Sequence, residues 1–155
     1  MRFTATSLAL CALLFNWPTL DAMAAPPPGA PAAATVHIEI ALVRAGHGDR
    51  SVDPALSAFA ADLRALPYER FVRVDSKSVA TTPGARQEIT LGSGLRAVVT
   101  VDAIDDSGAA TTLSLYRNDR EVTHTTVKRP WGRAQVISVG KEGEDMLVVP
   151  IAITR

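Results

Sequence analysis

The chain has 155 residues, 47% of them hydrophobic, with 16 basic and 16 acidic side chains and a formal net charge of zero. A balanced surface gives no bulk attraction for phosphate backbones or anionic lipid, which excludes nucleic-acid binding and peripheral membrane binding driven by charge. The apolar fraction is large enough to bury a core, and the one cysteine, Cys11, lies near the start of the chain.

Residues 1–24 read as a secretory leader. Arg2 precedes a short apolar run from Ser7 to Phe15, Pro18 and Asp21 interrupt it, and Ala22-Met23-Ala24 provides a small-x-small exit. The run is roughly half of the ~20 residues a helix needs to span a bilayer, so no stable membrane insertion is expected once the leader is removed. Lipid attachment at Cys11 would need a small residue just before it, and Leu10 stands there. Cleavage after Ala24 leaves a chain without thiols, which excludes a disulfide framework, a thiolate metal site and a cysteine nucleophile. The expected location is periplasmic or secreted. Residues 25–34, with Pro26-Pro27-Pro28-Gly29, read as a disordered Pro/Ala-rich spacer. Residues 35–155 suit a single β-rich domain.

From Thr35 the pattern has period two. Val36, Ile38, Ile40 and Leu42 face one way and His37, Glu39, Ala41 and Val43 the other, which predicts a long strand with one buried face. Gly46 and Gly48 open a loop around His47 and Asp49. Asp53-Pro54 then starts a helix, with aspartate as cap and proline at the first helical position. Leu56, Phe59, Ala60, Leu63 and Leu66 form its apolar stripe, and Pro67 stops it. Phe71–Val74 reads as a strand and Lys77–Ala85 as a turn or loop. Strands are predicted over Gln87–Leu91, Leu95–Ala103, Thr111–Arg117, Glu121–Lys128, Ala134–Val139 and Met146–Ile153. Gly92-Ser93-Gly94, Asp105–Gly108, Asn118-Asp119, Pro130–Gly132 and Gly140–Asp145 separate them. Pro150 cannot donate to a ladder, which predicts an edge position for the last strand or an outward orientation at that residue. The fold class is α+β, mostly β: one N-terminal helix packed on an antiparallel sheet or sandwich of about seven to eight strands.

Three segments carry residue types capable of chemistry or recognition. His47 and Asp49, with Asp53 nearby, can coordinate a divalent ion, but a transition-metal site wants further imidazoles, and His37 and His124 fall on separate predicted strands. Too few alternating oxygen ligands are present for a calcium loop. A turn and a helix cap account for every one of these residues, and that reading is preferred to a metal site. Gly92-Ser93-Gly94 sits between two strands with no helix after it, so it reads as a hairpin turn, not a nucleophile elbow. Glu39, Glu88 and Asp102 fall on outward strand faces, where no cleft tunes them for acid–base work. No cofactor is expected. Lys128, Arg129, Trp131 and Arg133 surround Pro130 and Gly132 in a loop. Tryptophan and arginine anchor interfaces and stack on sugars or rings, which makes these four residues the candidate binding site. The competing reading has Trp131 plugging an open end of the sheet with the cations solvated.

Leader, proline-rich spacer, strand, an Asp-Pro helix running to Leu66-Pro67-Tyr68-Glu69-Arg70-Phe71, and a β meander closing on a hydrophobic strand are similar to small exported bacterial α+β domains. That resemblance carries no activity over to any residue. The sequence is therefore read as an exported, non-enzymatic binding or structural-association domain of the bacterial envelope, whose partner is another envelope protein or a saccharide. Two alternatives stand beside it: a metal-dependent hydrolase using His47 and Asp49, and a subunit of an envelope secretion or assembly complex.

Overall fold

The computed structural model describes residues 34–155, so the expected leader (1–24) and all but the last residue of the expected spacer (25–34) lie outside the described residues. Strands dominate. They are β1 (Val36–Gly46), β2 (Ser51–Val52), β3 (Arg70–Thr81), β4 (Arg86–Thr90), β5 (Leu95–Asp105), β6 (Gly108–Arg117), β7 (Arg120–Pro130), β8 (Gln135–Glu142) and β9 (Asp145–Thr154). One sheet has the order β2-β3-β1-β9-β8 and the other β4-β5-β6-β7. The pairings are antiparallel except for the short contact of β2 with β3.

Period-two alternation builds the core between the sheets. Val36, Ile38, Ile40 and Leu42 of β1 and Leu147, Val149 and Ile151 of β9 meet Leu95, Ala97, Val99 and Val101 of β5 and Leu113 and Leu115 of β6. Each valine, leucine or isoleucine among them contributes about 1.5–3 kcal/mol when fully buried. These are the inward positions that the alternation assigns to the four strands.

The opposite face of β1 departs from the expectation of one buried face. Ala41, Val43 and Ala45 are buried too, in a second cluster with Phe71, Val148 and Ala152 and with Leu56, Phe59 and Leu63 of the helical segment. Alanines at four of these positions, Ala134 included, leave room for the helix to lie close on the sheet. The described residues thus form three layers, helix on sheet on sheet, and both β1 and β9 contribute side chains to the two cores.

The helix itself is shorter and less regular than its stripe predicts. Pro54–Phe59 is a 3-10 helix and only Ala60–Leu63 (α1) is α-helical. Asp53 caps as expected, its carboxylate accepting from the Ala55 amide at 2.9 Å. Leu56, at φ −100° and ψ 16°, leaves helical geometry and kinks the 3-10 segment from within. A single helical turn has little stability of its own, so the packing of Leu56, Phe59 and Leu63 sets its geometry.

Three further expectations are corrected. The expected loop over Lys77–Ala85 is strand as far as Thr81, because β3 pairs with β1 from Gly46↔Arg70 to Val36↔Thr81. Its sequence is polar because only two-residue β2 lies beyond it, so much of the strand faces solvent. A bulge opposite Leu42/Val43 switches its inward face, sending Phe71 to the helix side and Val79 toward the other sheet. Pro150 is buried on β9, which is interior, not an edge. The β1–β9 ladder runs from His37↔Thr154 to Ile40↔Ile151 and resumes at Val43↔Val148, so the missing N–H is accommodated by a gap in the ladder. Finally, the strands after the helix are not one meander, since β1 inserts between β3 and β9.

Candidate functional site

At the end of β1 the chain turns through the loop that holds His47 and Asp49. Gly48 has φ 128°, a conformation open to glycine and costly for other residues. Glu69 holds this loop in three ways. Its amide donates to the Gly46 carbonyl and its own carbonyl accepts from Ser51, both at 3.0 Å. Its carboxylate accepts from the Gly48 amide at 3.3 Å and lies 3.9 Å from Arg50 Nε.

Between this loop and the segment that leaves α1 lies a hollow of about 700 Å³. Val52, Leu66, Pro67 and Phe71 give it an apolar lining, and His47, Tyr68, Arg50, Arg64 and Glu69 supply its polar groups. The His47 and Tyr68 rings stand 5.7 Å apart at 49°. Arg64 is exposed and makes no ion pair among the described residues. His47 and Asp49 are both exposed, and Asp53 is occupied as the helix cap. His37 sits at the far end of β1, about 33 Å away at 3.3 Å per strand residue. His124 lies on β7, with Nδ1 2.7 Å from Ser114 Oγ. Among the described residues no group of three His, Cys, Asp or Glu side chains is placed to hold an ion.

That Ser114–His124 pair was not legible in the sequence. It is a directly opposed cross-strand pair of β6 and β7 on a flat sheet face. Its second ring nitrogen meets no acid among the described residues. Gly92-Ser93-Gly94 is the β4–β5 turn, with Ser93 at φ 58° and Gly94 at φ 68°. Asp75 fastens that turn to β3 by accepting from the Gly92 amide at 3.1 Å. Glu88 and Asp102 are exposed on the outer sheet face, engaged with Arg96 at 3.4 Å and with Thr112 at 2.8 Å.

The expected loop from Lys128 to Arg133 is strand as far as Pro130, the end of β7 paired with β6, and only Trp131 to Arg133 turn away; the segment spends most of its groups internally. Trp131 is half-buried against the inter-sheet core, donates Nε1 to the Asp105 carbonyl at 3.0 Å, and carries the Arg155 guanidinium 4.5 Å above its ring. Lys128 pairs with the Asp105 carboxylate. Arg133 pairs with Asp62 at 2.7 Å, and Asp62 also accepts from the Ala134 amide at 3.0 Å, which ties α1 to this loop. Arg129 is exposed and unpaired among the described residues.

Asp105 is therefore the hub of this end of the sandwich. The Lys128 ammonium, then the Ser107 hydroxyl and the Ser107 amide, hold its carboxyl far below the usual carboxylate range. A carboxyl depressed in the folded state stabilises fully above its unfolded pKa of about 4, and that contribution fades as pH falls below it. Asp105→Asn is accordingly expected to lower the urea midpoint above pH 5. The difference from the parent should shrink as pH drops from 4 toward 2, and a gap that stays constant over that range would contradict the assignment. No known protein family, no curated protein and no solved structure matches this chain.

Proposed function

We propose that the chain is an exported, non-enzymatic binding domain of the bacterial envelope, which recognises its ligand or partner through the hollow at the end of β1. The observation that carries this reading is the composition of the hollow. Small-ligand sites typically enclose about 300–1,000 Å³, with mostly apolar walls and a few polar groups that fix orientation. Here an apolar wall, two rings and two arginines meet in about 700 Å³. The guanidinium groups of Arg50 and Arg64 repel a divalent cation, which disfavours the metal-dependent hydrolase built on His47 and Asp49.

The test is a screen of small acids, amides, short peptides and saccharides against the uniformly ¹⁵N-labelled protein. Amide shift changes are expected to cluster over residues 46–52 and 64–71. Changes gathered instead around residues 128–133, with the hollow silent, would move recognition to the second reading. That reading is favoured by Arg129, which is exposed and unpaired among the described residues, beside a small recess lined by Thr111, Pro130 and Gln135.

A further inference from the structure

We infer that the ligand of this hollow carries a single carboxylate on a ring-bearing apolar body; the inference rests on reading the hollow as the recognition site. The charge count comes first. Arg50 and Arg64 face one acid, Glu69. Glu69 is already engaged: its Oε2 accepts from the Gly48 amide, and its Oε1 is 3.9 Å from Arg50 Nε, too far for a strong hydrogen bond. Arg50 has a side chain 89% exposed and Arg64 has no ion pair among the described residues, so both forks keep donors to offer. One net positive charge remains beside a surface of Leu66, Pro67 and Phe71.

The donor set then selects the anion. A guanidinium presents two parallel N–H groups that match the two oxygens of a carboxylate. Phosphate sites commonly add amides from a helix N-terminus. The helix beside this hollow ends there instead, at Leu63, with Arg64 as its C-cap. A monoanion suits one net positive charge better than a dianion.

The rings select the rest of the ligand. His47 and Tyr68, 5.7 Å apart and tilted by 49°, form an open aromatic corner. Rings stack offset or edge-to-face at such spacings, which favours a planar group between this corner and the apolar wall. Free aromatic acids and the C-terminal carboxylate of a peptide ending in an aromatic residue share this chemistry.

The experiment is calorimetry on the purified full chain with N-acetyl-L-phenylalanine, N-acetyl-L-phenylalaninamide and phenylacetate. The acid is expected to bind at least tenfold more tightly than its amide. Arg64→Ala should weaken the acid at least tenfold while leaving the amide unchanged, and Arg64→Lys should restore part of the loss. Tighter binding of N-acetyl-L-phenylalanine than of phenylacetate identifies a peptide terminus as the source, and the reverse a free acid. Equal affinity for acid and amide, no effect of Arg64→Ala on acid binding, or no binding of either acid overturns the inference. An amide that binds as well as the acid and shifts residues 46–52 and 64–71 sinks the carboxylate while leaving the recognition site standing. Silence of those residues toward every compound of the wider screen sinks both.

Discussion

Replacing Phe71 by alanine is expected to destabilise the domain by about 3–5 kcal/mol, in the range of large-to-small changes at buried aromatic positions. Phe71 is 2% exposed. It is the second residue of β3, pairs with Ala45 of β1 and Val52 of β2, and its carbonyl accepts from the Asp53 amide at 2.9 Å. Its ring belongs to the cluster of Leu56, Phe59 and Leu63 and also lines the hollow. Deletion therefore opens a void that joins the hollow, and the helical segment loses the surface it rests on. Urea denaturation followed by circular dichroism should show a lower midpoint with an unchanged slope. Phe71→Leu, which keeps most of the volume, should lose under half as much. A loss below about 1 kcal/mol for the alanine variant would mean that the outer core contributes far less than burial of this kind normally does.

Trp131→Ala is expected to cost about 2–3 kcal/mol, at or below the lower end for buried aromatics because the ring is only half-buried. Three losses coincide: apolar contact with the inter-sheet core, the Nε1 hydrogen bond to the Asp105 carbonyl, and the platform under Arg155. Trp131→Phe keeps a ring but removes the N–H, and should lose about 1 kcal/mol, the usual net worth of one hydrogen bond. The pair of variants separates a structural plug from a free recognition group. A tryptophan held only for a partner would leave both urea midpoints within about 0.5 kcal/mol of the parent, as exposed positions do.

The inter-sheet core was legible because alternation is written plainly in β1, β5, β6 and β9, where every second residue is aliphatic from Val36 to Leu42 and from Leu95 to Val101. The turns were legible from glycine, asparagine and aspartate at Gly92–Gly94, Asp105–Gly108 and Asn118-Asp119. The course of β3 was hidden because a near-edge strand tolerates polar residues, and because the bulge beside Val43 breaks the alternation midway. The second core was hidden because Ala41, Ala45 and Ala152 say little about burial until a helix lies on them. Pro150 misled because the rule against proline in an interior strand assumes an unbroken ladder, and here the ladder skips that residue.

The candidate sites divide in the same way. The sequence drew attention to the loop of His47 and Asp49 for its metal-binding residue types, and to the Trp131 loop for its cations. The use proposed for the first loop depends on a hollow whose other wall, Arg64 to Phe71, comes from the far side of the helix. Nothing in residues 47–53 alone announces that wall. Lys128 and Arg133 look free in the sequence because their acids, Asp105 and Asp62, are 23 and 71 positions away along the chain, the second being 133 minus 62.

The account stands on the outer core being part of one cooperative unit with the inter-sheet core, so that the hollow is formed before any ligand arrives. Native-state amide hydrogen exchange tests this most directly. The amides of Val43, Ala45 and Phe71 should exchange with the same opening free energy and the same denaturant dependence as those of Val99 and Leu113. Val43, Ala45 and Phe71 exchanging a hundredfold or more faster, while Val99 and Leu113 stay protected, would show that the helical layer opens on its own and that no lasting hollow exists.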